Sequence, residues 1–286
     1  MTTENNNIIL LEKNQDSTKS NRFMHNFPTA QTYNNAKIAL TNMSIFNQFF
    51  NIKQIFNNNS IILIFNAEAP ITHIINIDDG YYGIELLNLI IENYCFANNL
   101  YLNDTATGKV VYFFNIHTNE PQYKIQIDCY VIPTATQATE GGLTKPNGAT
   151  WNFPTIQQTG QIVIPTVGYG KLIGFNPDSY PSTVLNADYS VLGQKSPRIE
   201  PISSILIGCN FLNSRYSNPS NIMQAIKIDA SYGSSIVYQA GMLNYANIQN
   251  ATYTGLEIIL YDDQMNDLTI RDSDIIISMS IQETHK

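Results

Sequence analysis

The stretch "YKIQIDCYVIP", residues 123–133, alternates apolar and polar side chains along its length. Successive side chains of an extended chain point to opposite faces. Tyr123, Ile125, Ile127, Cys129 and Val131 therefore share one face, and Lys124, Gln126, Asp128 and Tyr130 the other. One face is core; the other meets solvent or a partner. Similar short runs recur in "AKIALTNMSIF", "IILIFNAEAP", "ITHIINI", "KVVYFFNI", "SSILIGCNF" and "SSIVYQ", bounded by Asn, Asp, Gly or Pro. That spacing belongs to an all-β sandwich or barrel. In the closing pair "GLEIILYDDQMNDLTIRDSDIIISMSIQ", Leu256, Ile258 and Leu260 are expected to face Ile275, Ile277, Met279 and Ile281 across an acidic hairpin turn. No repeat at solenoid or propeller period is present.

One segment breaks the β pattern. In "INIDDGYYGIELLNLIIENYC", residues 75–95, the spacing of Ile84, Leu87, Ile91, Tyr94 and Cys95 predicts a helix from Ile84 to about Ala97, with Ile84, Leu87, Ile91 and Cys95 as its core face. Glu85, Asn88 and Glu92 form a polar stripe, so one side of the helix is expected to be wet. The adjacent Asp78 and Asp79 fit either a catalytic carboxylate pair or a turn whose negative charge complements the helix N-terminus. No second acidic cluster accompanies them, which favours the turn.

A chain of 286 residues holds one large β domain with insertions or two modest ones, and its 43% of hydrophobic residues is enough for a sizeable core. Charged residues are only 13% of the chain, about half the usual share, whereas Asn occurs 35 times. The surface is therefore polar through amides and hydroxyls more than through charge. The net charge of −8 is evenly spread, with four basic and eight acidic residues in 36–132 and again in 201–286. No electrostatic footprint for nucleic acid results. Cys95, Cys129 and Cys209 are odd in number, far apart and set among apolar residues, which points to buried free thiols in a reducing compartment. The N-terminal residues have no basic region before an apolar run, and no run approaches 18 apolar residues, so neither a signal peptide nor a membrane span is expected.

Residues 1–35 are polar, Asn-rich and of zero net charge, which predicts a flexible arm. The sandwich is expected to occupy 36–286. From about 133 to 200 the texture turns to Thr, Gly and Pro, with "PTATQATEGGLTKPNG" showing no period, and reads as an elaborated, loop-rich insertion.

Chemical constellations are weak throughout. In "GYGKLIG" a phosphate loop would need Gly where Pro165 stands and Ser or Thr in place of Leu172. "YGSSIV" lacks the Gly-x-Ser-x-Gly elbow, and His25, His73, His117 and His285 fall in four separate segments. Asp262, Gln264 and Asn266 have calcium-loop spacing, but Asp267 occupies the glycine position and no closing Glu follows. Trp151 in its Gly/Pro-rich setting is a loop anchor or interface residue before it is a sugar platform. No catalytic residue, cofactor or metal is assigned, and no enzyme is expected.

A further signal is the order of several motifs. "AKIALTNMSIFNQFFNI", "INIDDGYYGIELLNLI", "GKLIGFNPDSYP", "PRIEPISSILIGCNFLNSRYSNPSNI", "YGSSIVYQ" and the closing "IIISMSIQ" follow one another in an order that resembles the penton, or minor capsid, proteins of virophages and Polinton-type viruses, over about residues 36–282. The resemblance implies a single jelly-roll β-sandwich, eight antiparallel strands in two sheets, with one short helix closing an end of it. It also implies a homopentamer at the fivefold vertices of an icosahedral capsid, made in the cytoplasm of an infected cell and in contact with major capsid protein capsomers. The family often caps this helix with Ser or Thr, where this chain has Gly83. On this view the arm orders on assembly. A carbohydrate-binding or attachment β-sandwich built around Trp151 is the alternative, and a β-sandwich hydrolase using Asp78 or His117 is a more distant one.

Overall fold

The computed structural model of the chain describes residues 2–12, 21–213, 218–271 and 275–285, with the backbone alone for 2–12, 284 and 285. Three strands come first: β1 (Thr2–Glu12), β2 (Arg22–Tyr33) and β3 (Lys37–Phe46). A long middle section follows, with β4 (Ser60–Asn66), β5 (Pro70–Asn76), helix α1 (Ile84–Ala97), β6 (Leu102–Asp104), β7 (Val110–Val111), β8 (Phe114–Asn119), β9 (Lys124–Cys129) and β10 (Val131–Ile132). It continues through α2 (Ala135–Glu140), β11 (Leu143–Thr144), β12 (Gln158–Thr159), β13 (Gln161–Ile164), α3 (Val167–Ile173), β14 (Asp178–Tyr180) and β15 (Tyr189–Leu192). The chain closes with β16 (Ser204–Cys209), β17 (Ile222–Lys227), β18 (Ser235–Gln239), β19 (Ala246–Asn247), β20 (Ala251–Tyr261) and β21 (Ile275–His285). The protein is mostly β-sheet, as the alternating runs require. It carries α2 and α3 in addition to the one expected helix.

These elements fall into two compact units, Met1–Phe49 with Ile202–Lys286, and Phe50–Pro201. The first unit has one sheet in the order β1-β21-β3-β18, with β19 also on β3, and a second in the order β17-β16-β20-β2. All pairings are antiparallel. Its core gathers Ile38, Met43 and Ile45 from β3, Ile205 and Ile207 from β16, Leu256, Ile258 and Leu260 from β20, and Ile275, Ile277, Met279 and Ile281 from β21. The last two sets do meet in one core, but not as a hairpin: β20 pairs with β16 and β2, and β21 with β1 and β3. The acidic turn carries the chain from one sheet to the other. A single apolar face per strand satisfies either arrangement, so periodicity does not distinguish them.

The first 35 residues also differ from expectation. Between Arg22 and Tyr33 the chain pairs with β20, burying Phe23 and Tyr33, and β1 lies along β21. Residues 1 and 13–20 of the expected arm lie outside the described residues. An edge strand buries only one face and bonds along only one side, so a polar sequence serves. Pro28 has no N–H to give, and the register with β20 breaks between Asn26 and Gln31.

The second unit is built on a sheet of order β14-β13-β4-β5 and another of order β15-β9-β8. Phe65, Phe114, Ile116, Ile127, Cys129 and Ile162 lie in its core. It begins at Phe50, not near 133, for a reason of pairing. β13 and β15 from the Thr/Gly/Pro stretch complete sheets begun by β4 and β9. The stretch supplies strands to a core that residues 60–129 cannot close alone. The helix α1 belongs to this unit too. Thr134 caps α2 through a reciprocal bond with Gln137, and Thr166 caps α3 by accepting from the N–H of Tyr169.

Candidate functional site

Asp79, Asp262, Trp151 and the three cysteines have structural uses. The Oδ1 of Asp79 accepts the N–H of Gln54 at 2.7 Å, which caps the 3-10 turn Gln54–Phe56. Gly80 bridges to Ile52 beside it. The N-cap of α1 is Gly83, with no side-chain bond, and Glu85 lies in the first turn. Asp79 thus ties the approach to α1 onto the preceding turn, and among the described residues the pair has no shared hydrogen-bond partner.

The buried residues of α1 are Ile84, Leu87, Ile91 and Cys95. The polar stripe beside them is not simply solvated. Asn88 accepts the backbone N–H of Ile116 on β8 at 2.9 Å and donates to Glu92 at 2.7 Å. On the other flank Tyr94 stacks edge-on against His73 of β5, with ring centroids 5.7 Å apart. The helix therefore spans the gap between the β5 and β8 edges. Burial lowers the pKa of His73, whose Nε2 has no hydrogen-bond partner.

Asp262 spends its carboxylate on its own turn. Oδ1 accepts the N–H groups of Gln264 and Asn266, and Oδ2 accepts from the Asn266 side chain at 2.9 Å. The calcium-like spacing is an Asx-type turn. Among the described residues, no three of His, Cys, Asp and Glu gather as a metal site. In "GYGKLIG" the glycines serve packing: a Cβ on Gly170 would lie 2.4 Å from the Phe175 carbonyl oxygen. Gly174 is the left-handed C-cap of α3.

Trp151 is 4% exposed, donates its indole N–H to the Asn99 carbonyl at 2.7 Å, and packs on Phe65 and Phe153. It is a core anchor, closed to any sugar. The thiols of Cys95, Cys129 and Cys209 are buried and pushed up to about 12 by burial, which leaves them protonated and inert.

One cluster is invisible in the sequence. On the polar face of β8 and β9, Asp128 is 4% exposed and accepts from Gln126 at 2.9 Å, Asn115 at 3.4 Å and the Ser190 hydroxyl, with His117 Nδ1 at 3.2 Å. Ser190 bonds to the carboxylate and not to the imidazole, so no proton relay from serine through histidine exists. The alternation of Asn115 with His117, and of Gln126 with Asp128, marks these side chains as one face. Only the β8–β9 register, with Asn115 opposite Asp128, makes them a network. Tyr123, expected on the apolar face, lies outside β9 in a left-handed turn and is exposed. The side chain of His285 lies outside the described residues.

No helix among the described residues is long and apolar enough to cross a membrane. No family model and no curated protein matches the chain. Solved structures similar to it include the following two. One is the crystal structure of the mavirus penton protein, 11% identical, covering 99% of each chain with a TM-score of 0.46. The other is the 3.5 Å cryo-EM structure of the Sputnik virophage, 11% identical, covering 98% of this chain and 97% of that one with a TM-score of 0.45.

Proposed function

We propose that this protein is a structural component of a viral capsid: a penton, five copies of which form a ring at each fivefold vertex, flanked by major capsid protein capsomers. The single observation that carries the reading is the strand order of the first unit. Its eight principal strands divide four and four, as β1-β21-β3-β18 and β17-β16-β20-β2. Along the chain the strands switch sheet at every step except β16 to β17, and the first strand pairs with the last. That order supports a jelly roll, with the second unit inserted between β3 and β16. The ordered motifs of the sequence support the capsid use, since fold alone does not specify function.

The chemistry agrees with an assembling role. Sparse charge lowers the desolvation cost of packing copies together. The carbohydrate-binding alternative rested on Trp151, which is buried. The test is the native mass in solution, by light scattering coupled to size exclusion. Five times the chain mass of 32.1 kDa supports a penton. A trimer would point to an attachment fibre or a major capsid protein, and absence from the fivefold positions of a reconstructed particle would end the reading.

A further inference from the structure

An asparagine side chain can react with its own backbone: the nitrogen of the next residue attacks the side-chain Cγ and closes a five-membered imide. A Cβ on that next residue crowds the attack, so the step is fastest before glycine. This chain is rich in asparagine but holds a single Asn-Gly pair, Asn147-Gly148, and a single Asp-Gly pair, Asp79-Gly80, which is open to the same ring closure. The fold treats the two pairs in opposite ways.

At Asp79-Gly80 both reacting groups are held. The Asp79 Oδ1 accepts the Gln54 N–H at 2.7 Å, and the Gly80 N–H donates to the Ile52 carbonyl at 3.0 Å. Moving either group toward the other breaks a hydrogen bond. At Asn147-Gly148 neither group is held. Both residues are exposed, at the centre of a turn that the Ala149 N–H closes onto the Pro146 carbonyl at 3.2 Å. Gly148 has φ +90°, as the third residue of a type II turn requires. Among the described residues, no group accepts the Gly148 N–H and none bonds the Asn147 side chain.

We infer that Asn147 is a site of covalent self-modification, at which the folded chain deamidates while Asp79 is protected. The Gly148 nitrogen forms a bond to the Asn147 Cγ; the Cγ–Nδ2 bond breaks, and the proton of the Gly148 N–H leaves with the amide nitrogen as ammonia. Water then opens the succinimide at either carbonyl, giving aspartate or isoaspartate. Water is the only co-reactant. Either product adds a negative charge to a turn that borders Asn99, just past the C-terminal end of α1, where the helix dipole disfavours it. Isoaspartate also adds a backbone carbon to the loop between Lys145 and Trp151, whose ends are tied together by the Lys145 Nζ bond to the Trp151 carbonyl at 2.7 Å.

Peptide mapping tests the inference. The full chain is incubated folded at mildly alkaline pH, digested under mildly acidic conditions that halt the reaction, and mapped by mass spectrometry, with enzymatic methylation of isoaspartate as a second readout. The expected result is loss of the Asn147 amide ahead of every other asparagine, with isoaspartate at 147 and none at 79. In the urea-unfolded chain Asp79 is expected to isomerise as well, because its hydrogen bonds are gone. Gly148→Ala is expected to slow the conversion strongly; because its positive φ strains that variant, Asn147→Gln, which keeps the glycine, is run beside it and is expected to show no isoaspartate at 147. An Asn147 that keeps its amide in the folded chain while the unfolded chain loses it overturns the inference, since the fold would then protect this pair too. Faster loss at another asparagine of the folded chain, or isoaspartate at 79 in it, overturns it equally.

Discussion

The side-chain oxygen of Asn88 lies 2.9 Å from the backbone nitrogen of Ile116 and accepts its N–H at the free edge of β8. Ile116 is buried, so this donor has no access to water. A polar residue that looks solvated in the sequence thus seals a sheet edge. Asn88→Ala leaves a buried N–H unpaired, and the expected loss is about 1–3 kcal/mol. Urea unfolding read against the unsubstituted protein checks it; an unchanged midpoint would mean that water replaces the amide.

His73 makes stability depend on pH. Its folded pKa is lowered by burial from an ordinary 6.5, so below that value the unfolded chain binds a proton that the folded chain refuses. The His73 contribution is fully present above about 6.5 and is lost as pH falls through the window below it. The midpoint of urea unfolding is therefore expected to drop between pH 7.5 and 5.5, and to drop less in His73→Leu. Parallel pH profiles for the two proteins would assign the dependence elsewhere.

Gly174 and Gly108 both have positive φ, 81° and 70°, but only Gly174 is hemmed in. A Cβ there would lie 2.3 Å from the Lys195 carbonyl oxygen, whereas Gly108 has nothing within 4 Å. Gly108→Ala incurs backbone strain alone, about 1 kcal/mol. Gly174→Ala adds a clash with backbone and is expected to lower the melting temperature clearly further. Equal effects would show that Lys195 and its neighbours shift freely.

The three cysteines offer a simple probe of both cores, since Cys95 and Cys129 lie in one and Cys209 in the other. With thiols held protonated and covered, an aromatic disulfide reagent is expected to titrate none in the native protein and three after denaturation. Reaction of one thiol under native conditions would reveal local opening of the unit that holds it.

Consecutive residues determine local form, and that much was legible without tertiary information. The alternation of Ile125, Ile127 and Cys129 specified a one-faced strand, and the spacing of Ile84, Leu87, Ile91 and Cys95 specified α1 and its buried side. The Thr134-x-x-Gln137 capping box was also there to be read, although the segment around it has no period. Tertiary structure alone decided the rest, because strand pairing depends on which edges meet when distant segments collapse. It set β13 beside β4 and β15 beside β9, which moved the start of the second unit to Phe50. It sent β20 and β21 to different sheets, although a hairpin would have buried the same residues. It also turned Asp128 from a strand residue facing solvent or a partner into the acceptor of a buried network. A periodicity states which side chains share a face; only the fold states what that face meets.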